Sequence, residues 1–314
     1  MGWTAEEIPD QTGRVAVVTG GNGGLGLETA RELTRNGAHV IIAARNLEKA
    51  ATAERDILES VPDASLEVRN LDLSSKTSIK EFADGLLADH SKIDMLFNNA
   101  GVMATPELET EDGFELQFGT NHLGHFYLTY LLLPALLAGK DARVVNTTST
   151  ARFSAGAYDL QNAHSRGNYK PWDAYGISKR ANLHFAIELN TRLAAAGADV
   201  KAYSADPGFS DTDLQAASAR ASGGGFSQRF FEKTTPIVGQ SAARGALPQL
   251  QAGTDPAAPG GALFRPRWVV RGDSVQGKIG DRLRKPEDLK ALWAVSETDL
   301  DISFDVAEMV AEAR

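Results

Sequence analysis

The chain has 314 residues, 42% of them apolar and 23% charged, enough to fill a sizeable core and ordinary for a soluble protein. A net charge of −9 with a pI near 5.2 speaks against a nucleic-acid scaffold or an anionic membrane surface. The absence of cysteine removes disulfides, cysteine metal sites and thiol nucleophiles together. Residues 1–7 hold neither a basic region nor an apolar run, and Glu6 stands where a myristoylation motif wants Ser or Thr. The expectation is a cytoplasmic protein without a membrane span, because the longest apolar stretch, 126–137, is short and contains Pro134.

From Arg14 onward, strand, turn and helix alternate. Residues 14–19 are a short apolar run of the kind buried in a parallel sheet. Glycines from Gly20 to Gly26 break it, and helical spacing follows from Leu25 to Arg35, closed by Asn36-Gly37. His39 to Ala43 is the second strand, and Asn46 caps a helix running to about Ser60. Leu66 to Asn70 is the third strand, followed by a helix over 75–88 with Ser74 as its cap. Ile93 to Phe97 is the fourth, then a helical region over 107–137 broken near Gly113. Ala142 to Thr147 is the fifth strand, a helix carries Tyr175 to about Ala196, and Val200 to Ser204 is the sixth. Connections of helix length between strands imply an α/β fold: one doubly wound, Rossmann-type parallel sheet with helices on both faces.

Two segments interrupt this order. Residues 152–173 are a polar, irregular insert, and 213–235, with three glycines at 223–225, reads as a mobile lid. Phe209, Leu214, Phe226, Phe230 and Phe231 suggest an apolar pocket under that lid, suited to a lipophilic carbonyl. The stretch 252–261 reads as a surface loop. Beyond it, Arg265 to Lys285 is basic and the tail after Glu287 acidic. With no repeat and no linker, the expectation is one domain, its core at about 12–250 and a C-terminal extension over 252–314.

The chemistry-bearing residues fall at the ends of these strands. Thr19-Gly20-Gly21-Asn22-Gly23-Gly24-Leu25-Gly26 follows a strand and opens a helix. There glycines let the backbone approach a pyrophosphate while the helix N-terminus stabilises its charge. The second strand ends Ala43-Ala44-Arg45, without the carboxylate that would hold the ribose hydroxyls of NAD. The planar guanidinium of Arg45 suits a 2′-phosphate, so NADP(H) is the expected cofactor. Tyr175 and Lys179 are one helical turn apart and share a face. An ammonium held near a phenol draws its pKa down from ~10 and makes an acid/base for cellular pH. Alone, such a pair reads equally well as a surface tyrosine stacked on a lysine.

Further motifs follow in order: Asp72 after the third strand, Asn98-Asn99-Ala100-Gly101 after the fourth, and Asn121. Then come Ser149 after the fifth, Tyr175-x-x-x-Lys179, and Pro207-Gly208 after the sixth. Over about residues 12–250 the chain resembles the short-chain dehydrogenase/reductase family. Asn121-His-Leu-Gly-His-Phe126, the long insert and Tyr175-Gly-x-Ser-Lys179-x-Ala-Asn182 are similar to its retinol-dehydrogenase-like and protochlorophyllide-reductase-like branch. The resemblance implies an oxidoreductase in which Tyr175 is the acid/base, Lys179 lowers its pKa and holds the nicotinamide ribose, Ser149 polarises the carbonyl, and Asn121 anchors a proton-relay water. It implies that Gly20, Asn22, Gly24, Leu25, Gly26 and Arg45 hold the pyrophosphate and adenosine, Asp72 and Leu73 the adenine, and Asn99, Ala100 and Gly101 the ribose. Pro207, Gly208, Phe209 and Thr212 would hold the nicotinamide. It also implies dimers or tetramers assembled through helices matching 107–137 and 174–196.

Departures from the family pattern bear on this. Thr148 precedes Ser149 where serine is common and is a stand-in for it; Asp206 stands where the branch often has His; and 26 positions separate Ser149 from Tyr175, roughly twice the usual gap. The extra residues should lie near the site mouth. His122 and His125 share a helix face but lack a third ligand at metal spacing, so no metal is expected. No Gly-x-Ser-x-Gly elbow occurs. Sugar-nucleotide epimerases share Tyr-x-x-x-Lys, but no substrate domain for a nucleotide is visible. The alternative function is a non-catalytic NADP-binding sensor or scaffold of the same fold.

Overall fold

The computed structural model describes residues 2–154, 158–209 and 240–314. Eight strands form one sheet, β1 (Val15–Thr19), β2 (His39–Ala44), β3 (Ser65–Asn70), β4 (Met95–Asn98), β5 (Ala142–Thr147), β6 (Val200–Ala205), β7 (Leu263–Pro266) and β8 (Ser274–Gly277). Their order is β3-β2-β1-β4-β5-β6-β7-β8, with every pairing parallel except β7–β8. The doubly wound parallel sheet is as expected. The C-terminal residues extend it, since β7 joins β6 in parallel and β8 closes the edge antiparallel.

Successive strand residues face opposite sides. Val17 and Ile41 enter one core, and Ala16, Val18, Val40 and Ile42 the other. Three helices cover the second core, α1 (Gly24–Arg35), α2 (Leu47–Ser60) and a helix over Ala242–Thr254. The first core is covered by α3 (Lys76–Asp89), α4 (Leu116–Phe118), α5 (Gly124–Leu137) and α6 (Pro171–Ala195), together with α8 (Pro286–Leu300) and α9 (Val306–Glu312). The Ala242–Thr254 helix is α7 in chain order. Phe126, Phe185, Trp293 and Phe304 pack with ring centroids 4.9 to 6.0 Å apart. The C-terminal residues therefore share the core of the fold. Burial of so much aromatic surface fixes their place.

Several boundaries differ from expectation. Asn46 caps α2 through Lys49 N at 2.8 Å as read, but α3 is capped by Ser75; the Ser74 hydroxyl donates to Asp72 instead. The region before Leu116 is irregular rather than helical, tied by a Glu109–Glu115 bridge. Residues 252–254 are the buried end of α7, not surface loop, because they pack under the sheet. Between α4 and α5 the helix widens into a π turn over Gly119–Leu123, centred on Asn121. The apolar stretch 126–137 is mainly core, with Tyr127 and Tyr130 half-buried at its edge. No described helix is long and apolar enough to cross a membrane.

Candidate active site

The order of the sheet reverses at β1, whose neighbours β2 and β4 lead to opposite edges. In such sheets ligands bind outside the carboxyl ends of the strands at that point. A cleft of about 720 Å³ opens there. Its lining includes Gly20, Asn22, Gly24, Leu25, Arg45, Asp72, Leu73, Asn99, Ala100, Gly101, Ser149, Tyr175, Lys179, Pro207, Gly208 and Phe209. Among the residues expected at the site, Gly26 and Asn121 stand behind this surface. Thr212, the 213–235 lid, and Leu214, Phe226, Phe230 and Phe231 lie outside the described residues.

At the nucleotide end, Gly20 has φ +67° and a side chain on it would stand 3.1 Å from Ala100 Cα. A side chain on Gly26 would stand 2.3 Å from the Gly20 carbonyl, so this glycine brings helix against strand rather than touching a ligand. The start of α1 has no side-chain cap at Gly23, which leaves backbone N–H groups at the cleft wall. A pyrophosphate fits this cradle. Thr19 fixes the facing loop: its hydroxyl accepts from Asn99 N at 2.9 Å and Ala100 N at 3.0 Å.

At the end of β2, Ala43 and Ala44 leave space and Arg45 reaches into solvent, 70% exposed, with Nη1 3.5 Å from Asp72 Oδ2. Lys49 also lines the cleft and escaped the sequence reading. The signal was present, since Lys49 follows Arg45 by four positions at the start of a helix. Two cations and no carboxylate at the end of β2 suit a phosphate-bearing ribose.

The reaction end is built from four segments. Tyr175 is 5% exposed and Lys179 3%, on the buried face of α6. The Ser149 hydroxyl follows β5, lines the same cleft as the Tyr175 phenol and accepts from Ala151 N at 3.2 Å. Thr148 is not its equivalent, because its hydroxyl donates to the Lys179 carbonyl at 2.6 Å. Lys179 Nζ donates to Thr147 O at 3.3 Å and lies 5.7 Å from the Tyr175 ring centroid.

Burial pushes the Tyr175 phenol above its ordinary range; the nearby Ser149 hydroxyl opposes this and the Asp206 carboxylate adds to it. The expected lowering of Tyr175 by Lys179 does not offset burial here; the ammonium lies over the phenol ring, 5.7 Å from its centroid. Burial also lowers Lys179 itself, to about 8, with Asp206 working against the fall.

Asn121 serves the frame. Its Oδ1 accepts from Val102 N at 2.7 Å, and its Nδ2 donates to Val102 O and Ser178 Oγ, each at 2.9 Å. Its backbone carbonyl, in the π turn, meets His125 Nδ1 at 2.9 Å. A carbonyl only accepts, so Nδ1 carries the proton; burial holds His125 neutral, its pKa down at about 4. Nε2 is then an acceptor for Thr19 Oγ1 at 2.9 Å. A side chain on Gly101 would stand 2.9 Å from Asn121 Oδ1 and 3.4 Å from Lys179 Nζ, which places these two groups around one point.

The insert meets the cleft at its ends, through Ala151, Ser154 and Trp172. Its middle is tied elsewhere, with Tyr169 bonded to Gln117 at 2.7 Å and His164 to Asp299 at 3.0 Å. Met103, Leu116 and Trp172 give the mouth an apolar side that the sequence reading had not singled out. Away from the cleft, His39, Glu67 and His90 present ligand atoms within 4.8 Å of one another. Arg69 already takes both Glu67 oxygens, at 3.1 and 3.2 Å.

Comparison with known proteins gives the same picture. The family model described as short chain dehydrogenase matches residues 14–222. Retinol dehydrogenase 12 of Mus musculus is 47% identical over 205 residues, 65% of this chain and 63% of that protein, so the match spans less than two thirds of that relative. A short-chain dehydrogenase/reductase of Armillaria gallica is 38% identical over 300 residues, 93% of this chain and 91% of that one. The crystal structure of an uncharacterised protein from Mycobacterium paratuberculosis superposes with a TM-score of 0.79 at 40% identity, covering 97% of this chain and 99% of that one.

Proposed function

The chain belongs to the short-chain dehydrogenase family of oxidoreductases, and from that premise we propose that it moves a hydride between NADP(H) and a lipophilic carbonyl or alcohol. The observation that carries this is the single cleft shared by Ser149, Tyr175, Lys179 and the uncapped start of α1. The bound nicotinamide supplies the hydride. The chain's own residues do the rest. Gly20, Asn22, Gly24 and Leu25 offer backbone to the pyrophosphate, Arg45 and Lys49 the charge for a 2′-phosphate, and Asp72, Leu73, Asn99, Ala100 and Gly101 the adenosine wall. Pro207, Gly208 and Phe209 line the far wall, and Lys179, on the same cleft, would hold the nicotinamide ribose.

Ser149 donates to the substrate oxygen and Tyr175 gives it a proton as charge develops there. A phenol kept above its usual pKa is protonated at cellular pH, the form needed for reduction. Asn121 holds the frame behind Lys179, and a water bound beside these two residues would feed protons to the ammonium. The apolar side lined by Met103, Leu116 and Trp172 suits a lipophilic carbonyl or alcohol, and retinol, in the name of the mouse relative, is a lipophilic alcohol.

The test is NADPH oxidation, followed at 340 nm, with a panel of nonanal, retinal and steroid ketones. Turnover that Tyr175→Phe removes supports the reading. Tight NADPH binding with no turnover on any carbonyl would instead favour a sensor or scaffold.

A further inference from the structure

Among the described residues, one ion pair has both partners out of water: Arg152 and Asp206, with side chains 4% and 1% exposed. Arg152 lies in the turn Thr150–Phe153 that follows Ser149, and Asp206 follows β6. Thr148 N donates to Ala205 O at 2.8 Å. Beyond this rung the two strand ends are joined by side chains. Arg152 Nη1 stands 2.5 Å from Asp206 Oδ2 and donates to the Ser149 carbonyl at 2.6 Å. Asp206 Oδ1 accepts from Gly208 N at 3.0 Å. One guanidinium thus ties the backbone of Ser149 to the Pro207-Gly208 turn, and all three of those residues line the cleft.

Resting on the reading above, we propose that Arg152 and Asp206 are positioning residues of the reaction site, holding Ser149 in register with Tyr175 and setting the balance of charge around the Lys179 ammonium. A buried carboxylate left unpaired is strongly unfavourable, so Asp206 at this place requires Arg152. The groups facing Lys179 come from four elements. Tyr175 lies one turn back on α6, Asp206 follows β6, and Arg152 follows β5 and screens Asp206. His125, on α5, is neutral at cellular pH. Asp206 is the carboxylate that keeps the buried ammonium protonated against the cost of burial.

The two halves of the pair therefore act on Lys179 with opposite sign. Removing the carboxylate weakens the ammonium; removing the guanidinium strengthens it.

The experiment measures kcat against pH for NADPH-dependent reduction of the fastest aldehyde or ketone of the panel, with NADPH affinity and melting temperature alongside. Asp206→Asn should move the alkaline limb of kcat down by about one pH unit, and Arg152→Gln should move it up. Arg152→Lys restores the charge and should return the limb to its wild-type position, with kcat still reduced because the shorter side chain does not carry its ammonium to the place of Arg152 Nη1 between Ser149 O and Asp206. Limbs that stay in place, or move the same way in both variants while only the melting temperature falls, overturn the proposal. Should Asp206→Asn not fold, a limb shifted by Gln and not by Lys at position 152 supports it, and equal limbs overturn it. Tyr175→Phe is run beside them. If that variant keeps turning over, the functional reading fails and this proposal with it; if it is inactive while the limbs are unmoved, this proposal alone fails.

Discussion

The two ends of the cleft are built on different physical terms. At the nucleotide end the binding groups are largely backbone N–H groups, and the charges sit at the rim: Arg45 is 70% exposed and its partner Asp72 29%. At the reaction end Tyr175, Lys179, Arg152 and Asp206 are each no more than 5% exposed. Water screens the first set, so each charge there is worth little and can be gained or lost cheaply. The second set interacts in a poorly screened interior, where every charge shifts its neighbours' protonation. On the proposed function, cofactor choice is thus the more easily altered property, and proton transfer the more tightly coupled one.

The largest test of this contrast is Tyr175→Phe, which removes the proton donor while leaving the ring. It should lower kcat by ~10²-fold or more with NADPH affinity little changed; wild-type kcat would refute the assignment. Next is the pH profile of reduction. Lys179 titrates at about 8 and Tyr175 above its ordinary value. Activity should therefore hold through neutral pH and fall as pH rises past about 8, where the ammonium is lost. A limb that stays there in Lys179→Met would assign it to another group.

Arg45→Ala should have a smaller effect. A charged contact of ~1.5–3 kcal/mol corresponds to roughly ten- to hundredfold, and exposure places Arg45 near the lower end. NADPH affinity should drop about tenfold, with NADH unchanged and the difference shrinking in salt. Equal affinity for both cofactors in the wild type would break the cofactor side of the comparison.

The smallest effect at cellular pH concerns the buried histidines. Burial lowers His122 and His184 to about 3 and His125 to about 4. Folded values below the unfolded ~6.5 mean that their contribution is complete above that pH and is lost as pH falls toward 4 and 3. Stability should decline below pH ~6.5 by on the order of 1 kcal/mol per pH unit for each histidine, measurable by urea unfolding. A flat profile to pH 4 would contradict their burial in neutral form.

The sequence determined what depends on neighbours along the chain. Apolar runs marked β1, β2 and β4, because a strand buried on both faces must be apolar, while the half-exposed edge strand β3 showed as an alternating run. The glycine turn, the Asn46 cap and the shared face of Tyr175 and Lys179 follow from local backbone geometry. The position of Ser149 after β5, on the cleft wall, was legible through its place in the motif order. Tertiary structure decided what depends on contacts between distant segments. The C-terminal residues carried too little periodic signal to announce β7 and β8, and only the sheet edge beside β6 gave these short runs a partner. Thr148 yielded to Ser149 because the carbonyl of Lys179, 31 positions away, takes the threonine hydroxyl. Asn121 became a frame residue because Val102 and Ser178 use its amide and His125 its carbonyl. The charge of Asp206, conspicuous but unexplained in the sequence, found its reason in Arg152 across two strand ends. Spacing along a chain fixes which side chains can share a face, while burial and partnership, which set protonation and charge, arise only when the faces meet.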